Sequence, residues 1–219
     1  MSNNIKKIKK IKNKRKSTKD DDKITEFNVN TKINDEKFNL EKYFSIIEKI
    51  ITKILSRPVS DKLTYDIMDT EKLKINKIIA LKERRRQMKV GEIMQVILGN
   101  YDKFIDLGNG HETGLDIISK ERNIIIELKN RTNTDNASSK KSNLDKLANF
   151  KSKNPEYTCI YGCINDDTED KTKIGKIDTI QHNSVELKIY IGNKLLEFIL
   201  GKDKDNIINY VKNLIDRLT

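Results

Sequence analysis

The sequence has few cysteines and lacks long apolar runs, and both absences exclude whole classes of protein. It contains only 2 Cys in 219 residues, too few for a disulfide-stabilised scaffold. No apolar run approaches the roughly 18–20 residues of a membrane-spanning helix, which excludes an integral membrane protein. The N-terminus also lacks the apolar core and cleavage site of a secretion signal. We therefore expect a cytoplasmic protein in a reducing compartment.

Several common enzyme fingerprints are absent as well. The sequence contains no Walker loop, no Rossmann glycine fingerprint and no Ser-His-Asp order. Cys159 and Cys163 lie four positions apart on a predicted strand, too far apart for a disulfide, and we predict that both are core residues. Hydrophobic residues make up 36% of the chain, which is enough for one buried core.

The positive charge is concentrated at the N-terminus. Residues 1–19 contain nine basic residues and no acidic residue, whereas the other 200 residues contain 35 basic and 33 acidic residues. We predict a disordered basic tail over residues 1–35 and a single domain over residues 36–219. Three roles remain open for the tail: a solubilising segment, an arm that binds DNA, or a nuclear-import signal in a eukaryotic host.

Hydrophobic periodicity divides the domain into a mainly helical region, residues 36–100, and an α/β core, residues 101–219. Apolar residues at helical spacing predict helices over residues 38–57, from Asp69 or Thr70 through Leu81, and over residues 90–98.

The core contains short β-rich runs at residues 104–107, 115–119, 123–129, 157–164 and 185–191. One helix is predicted between the third and fourth runs, and two more at residues 194–200 and 205–218. The polar stretch 165–179 is expected to be a loop with a weak strand. This order predicts an α/β fold with a mixed β-sheet flanked by helices.

A predicted hairpin carries the candidate catalytic residues. The strands at residues 115–119 and 123–129 flank a turn centred between residues 121 and 122. In an antiparallel hairpin with that centre, Asp116 faces Glu127, with Cβ atoms about 4.5–5.5 Å apart. Lys129 lies two residues after Glu127 and shares its face. A second strand, with Glu186 and Lys188, repeats the acid-x-Lys spacing without a facing acid.

Facing carboxylates normally destabilise a sheet, so a site that retains them requires a cation. Two carboxylates with waters and phosphate oxygens suit Mg²⁺. A lysine beside the ion can orient or help deprotonate a water that attacks a phosphodiester. The alternative is an ordinary edge hairpin with solvated charges.

The pattern Asp116…Glu127-Leu-Lys129 resembles the PD-(D/E)XK nuclease signature, with Leu115 where proline is usual. Over residues 80–201 the chain is similar to a family of type II restriction endonucleases that cut GGNCC-type sites. The similarity lies in Arg-Gln-Met-Lys-Val-Gly-Glu92-Ile-Met-Gln95, Gly-His-Glu-Thr-Gly-Leu-Asp116 and Tyr-Gly-Cys-Ile-Asn165.

This resemblance implies a PD-(D/E)XK restriction-endonuclease-like core that cleaves double-stranded DNA with Mg²⁺, as a homodimer at a short palindrome. It implies that Asp116 and Glu127 are metal ligands and that Lys129 positions the water. A restriction enzyme also needs a cognate DNA methyltransferase that protects the host DNA, although the two proteins need not touch.

Other residues have two interpretations each. Glu92 is a further catalytic acid from an early helix, as in many such nucleases, or a solvated helix charge; Gln95 could orient Glu92 or touch DNA. Six residues are candidate DNA contacts: Asn133, Ser138, Ser139, Lys140, Lys141 and Arg85. The alternatives are helix capping by Asn136 or Ser138 and a solvated helix face around Arg85.

Three functions remain open on the sequence alone: a restriction-type endonuclease, a repair or junction-resolving nuclease of the same fold, and a non-catalytic DNA-binding protein. The presence together of Asp116, Glu127 and Lys129 favours a nuclease, because a pure DNA-binding protein does not need all three.

Overall fold

The computed structural model describes residues 38–57, 63–64, 66–108, 110–131, 136–165 and 175–218. The helices in these ranges are α1 (Leu40–Ser56), α2 (Glu71–Gly99), α3 (Ala137–Lys153), α4 (Asn193–Leu200) and α5 (Lys204–Leu218). The strands are β1 (Ile105–Asp106), β2 (Ile117–Ser119), β3 (Ile124–Arg131), β4 (Thr158–Asn165), β5 (Lys176–His182) and β6 (Val185–Ile191). The predicted basic tail lies outside the described residues.

The six described strands form one mixed sheet in the order β1-β2-β3-β4-β6-β5. Strands β3, β4 and β6 are parallel to one another, whereas β1, β2 and β5 pair antiparallel with their neighbours. The predicted α/β class, with a mixed sheet flanked by helices, is confirmed.

Each face of the sheet is covered by its own apolar layer. On one face, Ile126 of β3 packs with residues of α1, α2, α4 and α5. On the other face, Ile125 packs with Leu147 of α3. Because side chains alternate along a strand, Glu127 and Lys129 lie on the α3 side of the sheet.

Helix α2 is one 29-residue helix where two shorter helices were predicted. Residues 82–89 between the two predicted segments are Lys, Glu, Arg, Gln and Met, all strong helix formers, so the helix continues through them. Its fully buried side chains begin at Ile93, whereas Ile75, Ile78 and Ile79 in its first half remain exposed.

Strand β5 is longer and more regular than the weak strand predicted within residues 165–179. It pairs with β6 through seven residue pairs, joined by a turn at Asn183 and Ser184. Both turn residues have positive φ, 48° and 64°, as a two-residue type I′ hairpin requires. β5 forms the edge of the sheet and is only partly buried, which explains its weak hydrophobic pattern.

The remaining sequence predictions about the core can be checked directly. Cys159 and Cys163 are buried free thiols, which confirms both as core residues. Among the described helices, none combines the length and the apolar character needed to cross a membrane.

We expect Gly99→Ala to lower the free energy of unfolding by about 1–3 kcal/mol, the usual cost of overpacking. Gly99 lies directly against β1, where a Cβ would be 2.7 Å from the Cβ and 2.8 Å from the Cα of Asp106. Because the Asp106 Cα is a backbone atom, strand β1 itself would have to move to make room for the new Cβ. Urea denaturation followed by circular dichroism measures the change.

Gly91→Ala on the same helix is the matched control. A Cβ at Gly91 would meet Asn130 at 3.6 Å, an ordinary contact. Alanine has a higher helix propensity than glycine, so the free energy of unfolding of this variant is expected to rise by up to about 1 kcal/mol. Equal denaturation midpoints for the two variants would contradict the close approach of α2 to β1.

Candidate active site

The β2–β3 hairpin brings Asp116 beside Glu127. Ile117 pairs with Ile126, which is the predicted register and is therefore confirmed. The Asp116 backbone N–H donates to the carbonyl oxygen of Ile126 at 3.1 Å. The Asp116 Oδ2 accepts a hydrogen bond from the backbone N–H of Leu128 at 2.7 Å, which holds the carboxylate across the hairpin.

Glu127 is buried, with 2% of its surface exposed. Its Oε1 accepts a hydrogen bond from Lys129 Nζ at 2.7 Å, whereas its Oε2 is buried without a hydrogen-bond partner. A buried carboxylate oxygen without a partner is unfavourable, and a cation beside it would remove that cost. Residues Glu127 and Asp116 therefore fit a divalent ion with hard oxygen ligands.

The described residues contain no group of three or more His, Cys, Asp or Glu side chains arranged to hold a metal ion. This finding is compatible with Mg²⁺, which often uses one or two carboxylates and keeps several waters. The candidate metal ligands are accordingly Asp116 and Glu127 alone.

Both acids have a raised pKa, chiefly because they are buried. Burial raises the pKa of Asp116, opposed by the Leu128 N–H and the Lys129 ammonium. Burial also raises the pKa of Glu127, and the negative charge of Asp116 raises it further, while Lys129 opposes both effects. A positive charge near the pair would therefore stabilise the ionised forms.

Asp106 of β1 is a third acidic residue at the site, and no sequence pattern predicted it. Its Oδ1 accepts hydrogen bonds from Gln95 Nε2 and from the Gly108 N–H, both at 2.9 Å. Burial raises its pKa, and the charge of Glu92 adds to this rise. Its own charge in turn raises the pKa of Asp116. A two-residue strand has no periodic signal that could have marked it.

Glu92 lies at the edge of the site. Its Oε1 forms a salt bridge of 2.6 Å with Arg57, which follows α1. The charge of Glu92 acts on Asp106. Gln95, for which the two predicted roles were to orient Glu92 or to touch DNA, donates a hydrogen bond to Asp106. The structure thus connects Glu92 to the carboxylate pair through Asp106.

A groove of about 390 Å³ runs along α2, on the face of the sheet opposite the side chains of Glu127 and Lys129. Asn130, the residue after Lys129, belongs to its wall and donates from Nδ2 to the carbonyl oxygen of Gln87 at 3.0 Å. The groove is lined by Arg84, Gln87, Met88, Gly91, Glu92, Gln95 and Asn130.

Four predicted DNA contacts are exposed at the start of α3: Ser138, Ser139, Lys140 and Lys141. Asn136 caps this helix, because its Oδ1 accepts from the Ser139 N–H at 2.8 Å, so the capping alternative is confirmed for Asn136. Lys140 Nζ lies 6.0 Å from the ring centroid of Tyr161. Tyr161 pairs with Glu127 in the parallel register and packs on the α3 face of the sheet.

The other two predicted DNA contacts have different outcomes. Arg85 is half-buried on α2, whereas its neighbours Arg84 and Arg86 are exposed. Arg86 is engaged with Glu83 through two hydrogen bonds of 2.7 and 2.8 Å. Asn133 lies outside the described residues.

A family model described as Eco47II restriction endonuclease matches residues 1–214 of the chain. The match includes the hairpin, α2 and α3, and it extends beyond residues 80–201 in both directions. No curated protein matches the chain.

We expect Asp106→Asn to stabilise the metal-free protein, by an amount that grows as the pH rises. The folded-state pKa of Asp106 is raised by burial, so the protonated carboxyl stabilises the fold below the unfolded pKa of about 4. That stability is lost as the pH rises through the folded pKa. Asparagine keeps the oxygen that accepts from Gln95 and Gly108 but never ionises. Melting temperatures in EDTA at pH 4 and pH 8 test this.

Asp178→Asn is the control with the opposite sign. A hydrogen bond from Lys176 lowers the pKa of Asp178, so the charged form of Asp178 stabilises the fold at neutral pH. The melting temperature of this variant is therefore expected to fall slightly at neutral pH. A gain for Asp106→Asn that is the same at both pH values would contradict the electrostatic origin.

Proposed function

The chain belongs to the Eco47II restriction endonuclease family, and we propose that it is a type II enzyme that cuts a short palindromic, GGNCC-like site. Membership of the family makes it a nuclease of a restriction system, a hydrolase that acts on double-stranded DNA. The observation that carries the finer proposal is the pair Asp116 and Glu127, with Glu127 Oε2 buried without a partner and Lys129 in contact with Oε1.

We assign the core to the PD-(D/E)XK type. The antiparallel β2–β3 hairpin carries all three residues of that signature, and α3 then connects β3 to the parallel strand β4. This arrangement of hairpin, crossover helix and parallel strand supports the assignment, in addition to the residues themselves.

Asp116 and Glu127 are the residues that would hold Mg²⁺. When bound, the ion would supply positive charge that offsets the two carboxylates and polarises the oxygens of phosphate and water. The raised pKa values of both carboxyl groups support this role, because both arise mainly from burial and a cation beside the groups would offset the cost of burying their charge.

Lys129 positions the attacking water. Its ammonium group is held by Glu127 Oε1 at 2.7 Å, so it lies beside the carboxylates and can donate a hydrogen bond to a water oxygen there. In the reaction the water oxygen bonds to phosphorus and releases a proton to solvent, one backbone P–O bond breaks, and the leaving oxygen takes a proton from solvent. Glu92 acts from the edge of the site, through Asp106.

The DNA contacts proposed are the exposed residues at the start of α3, with Asn133 and Arg85 as further candidates. Lys140, which stands near Tyr161, is the contact with the clearest relation to the carboxylates. Lysine and serine side chains at a helix start suit phosphate oxygens. The cognate methyltransferase would recognise the same DNA site without binding this chain.

Purified protein with plasmid DNA and Mg²⁺ is expected to give discrete fragments, and EDTA is expected to abolish them. Asp116→Asn should lower the cleavage rate about 10³-fold or more, because it removes a metal ligand. Lys129→Ala should lose cleavage and still bind DNA in a gel-shift assay. Sequencing the fragment ends then gives the recognition site.

Lys188→Ala is the matched control for Lys129→Ala. Lys188 also bonds to the acid two residues before it, Glu186, at 2.8 Å, but on β6. The Lys188→Ala variant should cut DNA at the wild-type rate. Preferred cutting of branched DNA would instead favour a junction-resolving nuclease, and salt-sensitive binding without any cutting would favour a DNA-binding protein.

We further propose that the enzyme acts as a homodimer that uses the exposed face of α2. Ile75, Ile78 and Ile79 share one helix face and are 57%, 38% and 59% exposed. Apolar side chains clustered at helical spacing on a surface are typical of an interface. A second copy would also bring a second active site to the other DNA strand.

The double variant Ile75→Lys/Ile79→Lys is expected to shift the protein from dimer to monomer in sedimentation velocity, because charge replaces the apolar contact. Ile177→Lys, on β5 at a position of 53% exposure, should remain dimeric. A monomeric wild-type protein in the presence of its DNA site, or a dimeric double variant, would contradict the interface.

A further inference from the structure

Helix α3 packs on the face of the sheet that carries Glu127. Leu144 and Leu147 of α3 are buried against Ile125 and Tyr161 on that face. Ile125 and Glu127 are two residues apart on β3 and therefore point to the same side. Polar side chains on the inner side of α3 consequently lie close to the carboxylate pair.

Lys146 is the basic residue of α3 in that position. Its Nζ donates to Asn143 Oδ1 at 3.2 Å, and Asn143 is itself 7% exposed. Its stem runs beside Gly114, where a Cβ would lie 3.5 Å from both Cδ and Cε of Lys146 and 3.8 Å from Nζ. Gly114 is two residues before Asp116, so the ammonium is held next to the segment that carries the first carboxylate.

Gly114 also has a φ of 63°, in the left-handed region that favours glycine. The backbone turn that leads into Asp116 is therefore made at a residue without a side chain, and the Lys146 stem lies against it. The Lys146 stem thus passes beside Gly114 at the distance of an ordinary contact with an added Cβ, and Asn143 holds the ammonium.

The charge of Lys146 acts on both carboxylates. It lowers the pKa of Asp116 and of Glu127, as does the charge of Lys129. The two lysines differ in their partners, however. Lys129 is bonded directly to Glu127, whereas Lys146 forms no salt bridge with any residue of the described ranges. The positive charge of Lys146 thus lies beside Asp116 and Glu127 without a carboxylate of the described ranges in direct contact with it.

We propose that Lys146 is a second cationic residue of the active site, which binds a non-bridging oxygen of the scissile phosphate during cleavage. The proposal rests on the proposed function. Negative charge grows on the phosphate oxygens as the water attacks, and a preplaced ammonium stabilises that charge. Lys146 transfers no proton in this role: the P–O bonds form and break as described above, and Lys129 retains its contact with the water.

The test compares Lys146→Met, Lys146→Arg and the control Lys153→Met in the full chain, with the DNA site that the wild-type protein cuts. Lys153 is exposed in the last turn of the same helix. Single-turnover cleavage with Mg²⁺ should fall about 100-fold in Lys146→Met, recover to within about tenfold of wild type in Lys146→Arg, and stay unchanged in Lys153→Met. DNA affinity in EDTA should change far less than the cleavage rate.

A phosphorothioate at the scissile position separates phosphate binding from a structural role. Sulfur is a weaker hydrogen-bond acceptor than oxygen, so one diastereomer should slow the wild-type enzyme more than the other. In Lys146→Met that difference should shrink, because the contact it reports is already lost. A structural role would lower the melting temperature and leave the difference between diastereomers unchanged.

The outcomes distinguish this inference from the proposed function. A wild-type protein that cuts its site, with Lys146→Met cutting within threefold of it, would overturn the role of Lys146 alone. An unchanged difference between diastereomers in Lys146→Met would do the same. A wild-type protein that cuts no DNA with Mg²⁺ would overturn both.

Discussion

The antiparallel pairing of β2 with β3 holds Asp116 beside Glu127, and the rest of the site depends on this one arrangement. Two acids on facing strands repel each other, and burial raises the pKa of both. The hairpin register nevertheless keeps them together, because it is set by the apolar residues that follow Asp116 and precede Glu127. β3 is further held by its parallel pairing with β4 along almost its whole length. The pairing of the strands thus holds the two carboxylates together, although their proximity is unfavourable by itself.

The two long helices on either side of the hairpin supply the groups around the pair. α2 contributes Gln95, which bonds to Asp106, and its last residue, Gly99, permits the close contact with β1. α3 contributes Lys146 from the opposite face. Asp106 therefore lies toward α2, whereas Lys129 and Lys146 lie on the α3 side of the sheet, together with Glu127.

The sequence predicted the hairpin well and its surroundings poorly. The register of Asp116 and Glu127 depends on a short turn and on alternating residues, both of which are local, and the structure has that register. Asp106 could not be recognised in the same way, because β1 has only two residues and its relation to Asp116 depends on the pairing of β1 with β2. The salt bridge between Arg57 and Glu92 joins residues 35 positions apart, so no local sequence pattern could predict it.

The secondary structure shows the same division. The helices and most strands follow from periodicity, whereas the continuity of α2 depended on the absence of a helix-breaking residue, and β5 depended on pairing at an edge. By itself the sequence determined the class of the fold and the register of the hairpin, since hydrophobic periodicity and local spacing suffice for both. Only the tertiary structure decided which helix faces the carboxylates and which lysine lies beside them, because these contacts come from packing between segments distant in the chain.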